Sequence, residues 1–260
     1  MPSTTALEGL RARRLVAAVF WVGVWQVAAL LVGNGVLLAS PVDVVATFGR
    51  LVPTPSFWAT VAYSAVRIAV GFTAAAAAGV LLAWLASLGR WADALISPAV
   101  RAIRSVPVVS FIVLVLIWAD SAWLSVTISA LMVLPIVFAN VEEGIARKDV
   151  ALDELATVFA MPSGRRLAAI RLPAVLPYFT AACRVGIGLA WKAGVSAEVI
   201  GLPDGSIGER LYEAKLFLAT ADLFCWTAVI VACSFAFEKL ALRALAALES
   251  SLGRGYAKSL

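Results

Sequence analysis

The chain has 260 residues, 62% of them hydrophobic and 14% charged, with a net charge of +5 and a mean hydropathy of +0.96. A soluble domain carries roughly a quarter charged residues, so this is the composition of an integral membrane protein, and its positive excess is that of positive-inside loops rather than of a nucleic-acid binder. The absence of histidine removes histidine acid–base catalysis, histidine-ligated zinc and histidine proton relays.

Residues 1–14 are polar and basic, with Arg11, Arg13 and Arg14 just before an apolar run. Leu15–Val32 is too long and continuous for a cleaved leader and reads as a retained first span. Residues 34–60 carry Asn-Gly, Ser-Pro and Pro-Thr-Pro breakers, which predict an external loop holding a short helix over Pro41–Leu51. A second span follows over Ser64–Leu88, where Ala74–Ala78 and Gly79 give a small-residue face for close helix approach.

Gly89–Ser105 is basic and expected to be cytoplasmic. Val106–Val141 lies between two basic flanks, so an even number of crossings must join them. The favoured reading is two short helices of about 17 residues, the low end for a spanning helix, turning at Asp120-Ser121 between Trp118 and Trp123. A re-entrant hairpin is the rival. A fifth span is expected over Ala174–Ile200 and a sixth over Leu223–Leu242, joined by an external loop that contains Gly205 and Glu209. Cys183, Cys225 and Cys233 lie singly in apolar stretches and read as buried small residues rather than ligands or disulfides. Six spans place most of the 21 basic residues on one side, with both termini cytoplasmic.

The one long charged, turn-punctuated segment between spans is Asp149–Pro177. Asp149 is placed to cap a helix, and Asp153 and Glu154 put negative charge near its positive end. Leu152, Leu155, Ala156 and Phe159 follow a helical i, i+3, i+4, i+7 pattern. Pro162 and Ser163-Gly164 end the helix, which is expected to run to Met161, and a basic turn from Arg165 to Arg171 leads to Leu172-Pro173. An interfacial helix normally carries lysine or arginine on its polar face; the acidic side here favours a protein partner over anionic lipid.

These residues resemble the "EAA" loop of ABC importer permeases: Glu154-Leu155-Ala156, three residues, Ala160, nine residues, Ile170, one residue, Leu172-Pro173. The likeness extends over roughly 64–245 to the nitrate, sulfonate and taurine branch of binding-protein-dependent permeases, through Arg67-x-x-x-Gly71-Phe72, Ala197-Glu198-x-Ile200-Gly201 and Gly205-Ser206-x-Gly208. Two positions depart. Leu155 replaces the first alanine of the pattern and Ala160 its glycine, so either Ala160 bears a positive φ at a cost of about 1 kcal/mol or the turn has moved downstream.

The resemblance implies an all-α polytopic type I importer permease with six transmembrane helices. Its expected parts are the N-terminus 1–14, the first helix and external loop 15–63, a permease core 64–245 with a coupling segment 149–173, and a tail 246–260. It implies a coupling site of Leu152, Asp153, Glu154, Leu155, Ala156, Phe159, Ala160, Ile170, Leu172 and Pro173. In this reading Leu152, Leu155, Ala156 and Phe159 are apolar knobs that Glu154 orients. The implied partners are ABC ATPase subunits that bind ATP and Mg, a second permease copy, an extracytoplasmic binding protein and the lipid bilayer. No Gly-x-x-x-x-Gly-Lys-[Ser/Thr] loop occurs, so this chain does not bind ATP by that route; no catalytic or metal site is expected, and no nucleic acid.

Within the spans Lys192 and Glu198 stand out. Six positions carry one about 240° around the helix from the other, roughly 120° apart, which disfavours a direct pair. In one reading Glu198 lies at the outer interface and Lys192 snorkels or pairs with another helix; in the other Lys192, with Glu198, belongs to a translocation path for an anionic solute. Asp222 and Glu209 read as solvated loop charges or contacts to a binding protein. A secondary transporter, a membrane enzyme and a scaffold are the competing classes; no internal repeat supports the first and no catalytic cluster the second.

Overall fold

A computed structural model describes the backbone of residues 4–147 and 149–257, and the side chains of residue 13 and of residues 15–147 and 149–247. Lys148, which with Arg147 makes the basic flank before Asp149 in the sequence, lies outside the described residues, as do the side chains of Arg11 and Arg14. The described chain is helical throughout, without a strand.

Helix α1 (Thr4–Val32) is followed by α2 (Pro41–Leu51), the short loop helix expected from the sequence. Ser40 caps it, its Oγ accepting from Asp43 N at 3.2 Å while Asp43 Oδ2 accepts from Ser40 N at 3.2 Å, a reciprocal pairing that satisfies two otherwise orphan amides. Helix α3 (Pro55–Ala86) is the second span, extended at its N-terminal end beyond the expected Ser64. Thr54 caps it.

The stretch from Gly89 to Trp118 departs from a simple hairpin. Helix α4 (Arg90–Ser105) and helix α5 (Val108–Trp118) meet at Pro107 with a bend of 106°. At 11 residues α5 is about 16 Å long, half of a ~30 Å hydrocarbon core. The 17-residue first crossing is therefore replaced by a broken α4–α5 pair. The turn is where it was expected: Asp120 Oδ1 accepts from Ala122 N at 2.7 Å, and exposed Trp118 and Trp123 flank it. Helix α6 (Leu124–Ala146) returns across the bundle. Five helices are long and apolar enough to span, and the bent pair makes up to six.

The core is a trio of α3, α6 and the long helix α9 (Leu172–Gly201). Small residues set the spacing. A Cβ on Gly71 would lie 2.4 Å from Val126 O, and one on Gly194 2.6 Å from Ser129 Oγ, so backbones touch where a side chain has no room. Ala75, Ala76 and Gly79 of the small-residue face pack inward, Gly79 against Val137. Ser129 Oγ donates to Ala190 O at 3.0 Å, a buried bond that links α6 to α9. Trp191 and Phe72 are wedged edge-on to Phe237 of the last helix, α11 (Thr220–Ala257). The three cysteines are free, Cys183 and Cys225 fully buried.

The loop after α9 folds back as α10 (Ile207–Leu216). Glu209 Oε2 accepts from Gly205 N at 2.7 Å, and Asp222 pairs with Arg50 at 2.8 Å, tying α2 to the start of α11. Of these two acids, which the sequence leaves as solvated loop charges or partner contacts, Asp222 links two elements and Glu209 closes its own turn.

Candidate functional site

Between α6 and α9 the chain forms a compact clip. Helix α7 (Val150–Val158) starts at Asp149, whose Oδ1 accepts from Ala151 N at 2.9 Å and Leu152 N at 3.3 Å. It stops earlier than the expected Met161. Ala160 has φ 47°, with Ala160 N donating to Thr157 O at 3.1 Å and Met161 N to Ala156 O at 2.9 Å. These two bonds are the Schellman pattern, which normally places glycine at the left-handed position. The turn has not moved downstream; alanine bears it.

After Pro162 the chain doubles back as α8 (Ser163–Arg166). Arg166 Nε donates to Asp153 Oδ1 at 2.6 Å and its Nη2 to Asp153 O at 2.9 Å. With side chains only 24% and 14% exposed, this two-point contact fixes α7 against α8. The clip was not legible from spacing alone, because Asp153 reads as a helix-end charge and Arg166 as a loop cation. Residues Leu167–Arg171 then form a π-turn, Leu172 N reaching back to Leu167 O. Pro173 has no N–H to offer Ala169 O, so the ladder widens just before it. Ile170 is half-buried, and Leu172 and Pro173 are exposed.

The outward face of α7 carries Leu152 (47% exposed), Leu155 (54%) and, at its C-cap, Phe159 (73%). Glu154 is exposed between them. Ala156, expected as a fourth knob, is buried: it lies one turn from Asp153, on the side closed by the Arg166 contact. At the entrance to the segment Arg147 Nε donates to Glu143 Oε1, a contact that raises the guanidinium above its ordinary pKa.

Inside the bundle the two intramembrane charges separate cleanly. Glu198 is fully buried. Its Oε2 accepts from Ser64 Oγ at 2.7 Å and Gly208 N at 3.3 Å, and Ser64 Oγ accepts from Ile207 N at 2.9 Å. The carboxylate thus pins α10 to α3 and α9, and Gly208 is where it approaches: a Cβ there would sit 2.4 Å from Glu198 Cβ. Glu198 is therefore enclosed by the fold and not on an open face. Lys192 lies on the exposed side of α9. The same rule that marks Lys192 also marks Arg184, exposed on α9 near its midpoint; it stands outside the expected pair although its place in an apolar run is plain.

Residues 75–253 match the model of the family described as "Binding-protein-dependent transport system inner membrane component". The chain is 28% identical over 205 residues, 78% of its length and 74% of the relative's, to the Bacillus subtilis protein named "Putative aliphatic sulfonates transport permease protein SsuC". It is 30% identical over 203 residues, 76% of each chain, to the Escherichia coli protein of the same name. It is 24% identical over 205 residues, 75% of its length and 73% of the relative's, to the "Nitrate import permease protein NrtB" of Synechococcus elongatus. The all-α multi-pass bundle and a family match over most of its length agree: the chain belongs to the binding-protein-dependent inner membrane components, as a transmembrane permease subunit of an ABC importer and not an enzyme, ATP hydrolysis lying on a separate ATPase subunit.

Proposed function

We propose that the clip Asp149–Pro173 is the coupling element by which this permease engages its ATPase subunit. Leu152, Leu155 and Phe159 seat in an apolar groove of that subunit, Glu154 orients the contact, and Ile170, Leu172 and Pro173 root the clip in α9. ATP and Mg are held by the partner. The carrying observation is a helix with large apolar side chains facing outward while its own inner side is locked by Arg166. Exposed apolar knobs on a rigid support, in a connection between spans, are surface held ready for a partner.

Two copies of the chain enclose the path, both termini are cytoplasmic, and an extracytoplasmic binding protein delivers the solute. That solute is a small anion. Sulfonates and nitrate, in the names of two relatives, share a delocalised negative charge, and Lys192 supplies a cation on the open side of α9 for such a solute. The test is co-purification of the tagged permease with its ATPase subunit. Phe159→Ala is expected to reduce the recovered ATPase roughly tenfold or more, as for a buried aromatic anchor, while the permease still reaches the membrane. Undiminished recovery in Phe159→Ala and in Leu155→Asp would overturn the assignment.

A further inference from the structure

We propose that Arg184, together with Lys192, forms a water-exposed anion track along the free face of α9, with Arg184 as its deep, selecting cation. The inference rests on the importer reading above.

Arg184, Gly188, Lys192 and Ser196 recur at every fourth residue, so they make one shallow stripe along the helix. Arg184, Lys192 and Ser196 are exposed and Gly188 half-exposed, while Cys183, Ile187, Ala190, Trp191 and Ala197 on the opposite side are buried. A Cβ added to Gly188 would meet nothing within 4 Å, so this small residue is not there to admit a neighbouring helix of the same chain. It leaves the stripe open between its two cations. Ser196 Oγ is turned back onto Lys192 O at 2.7 Å, which keeps the Lys192 turn polar. The two cations are separated by about 12 Å along the axis.

Neither cation takes part in an ion pair among the described residues. Arg184 lies about 18 Å along α9 from Leu172, well inside a ~30 Å hydrocarbon core. Bare cations at that depth are costly against acyl chains and belong on a cavity or a partner. Lys192, nearer the far end of the helix, is placed to receive an anion first. Arg184 presents a planar fork matched to the oxygens of a sulfonate, carboxylate or nitrate group. Two half-strength stations give an anion somewhere to go after it binds, which a single strong site does not.

The test uses the full complex in native membranes, in a chain whose Cys183, Cys225 and Cys233 have been replaced by serine or alanine. Cysteine is introduced at 184, at 192 and, as a lipid-facing control, at exposed Val231 of α11. The probe is a membrane-impermeant methanethiosulfonate carrying a sulfonate. Positions 184 and 192 are expected to label roughly tenfold faster or more than 231; equal rates at all three would overturn the track. In parallel, Arg184→Gln and Lys192→Gln are assayed for ATP-driven uptake of ethanesulfonate, nitrate and bicarbonate. Loss of a charged hydrogen bond is expected to cut uptake by roughly tenfold to a hundredfold, with Arg184→Lys recovering part of it and the ATPase still assembled. Labelled positions with unchanged uptake in both glutamine variants would also overturn the proposal. A wild-type complex that carries none of the three anions overturns the anion-importer reading itself, and the track with it.

Discussion

Ala160 shows how a local rule can be broken and still be kept by its surroundings. Its φ of 47° costs an alanine about 1 kcal/mol, yet the Schellman bonds from Ala160 and Met161 are both made. Ala160→Gly is therefore expected to stabilise the clip by about 1 kcal/mol, read as slower amide exchange at Met161; unchanged or faster exchange would contradict the turn assignment. Glu198 teaches the complementary lesson. Its place in an apolar run is plain in the sequence, but its burial is not, because Ser64 stands 134 positions away and no local spacing brings them together. Glu198→Gln keeps an acceptor for Ser64 and Gly208 and is expected to be tolerated. Glu198→Ala strands both donors and is expected to cost about 2 kcal/mol, seen as a lower melting temperature of the purified permease. Equal stability of the two variants would mean that the network carries no weight.

At the scale of elements, capped and periodic segments were legible and tertiary geometry was not. Asp149 marks a helix start that the structure reproduces, since a cap is a contact within three residues. The Arg166–Asp153 contact and the α4–α5 break are contacts and angles between elements, and periodicity does not encode them. The sequence places a boundary at Ser105–Val106, but the direction of the 106° bend depends on what α5 packs against. There, Ile112 joins Leu124, Ile128 and Ala193. Arg166→Ala is expected to loosen α7 by about 1 kcal/mol, modest because the pair is partly solvated. It should speed amide exchange across 150–158 and weaken coupling while uptake-independent assembly of the bundle persists. Gly71→Val, by contrast, forces α3 away from Val126 O and is expected to cost about 3 kcal/mol, measured as loss of folded protein in detergent.

For the molecule as a whole, composition established the membrane class, because it reports on the bilayer as a solvent. The division of labour follows from structure and kinship together. A permease bundle cored by α3, α6 and α9 has no phosphate-binding loop, and a pinned helix lies between α6 and α9, the element proposed to couple it to the ATPase. Transport and hydrolysis should then be separable by lesions in the clip alone. The most direct measurement is solute uptake and ATP hydrolysis followed together in proteoliposomes that contain permease, ATPase subunit and binding protein, comparing wild type with Phe159→Ala and Glu154→Lys. Uptake falling roughly tenfold or more, together with loss of the binding protein's stimulation of ATPase activity, is the expected result. Full uptake with normally stimulated hydrolysis in both variants would contradict the claim that this segment couples the two.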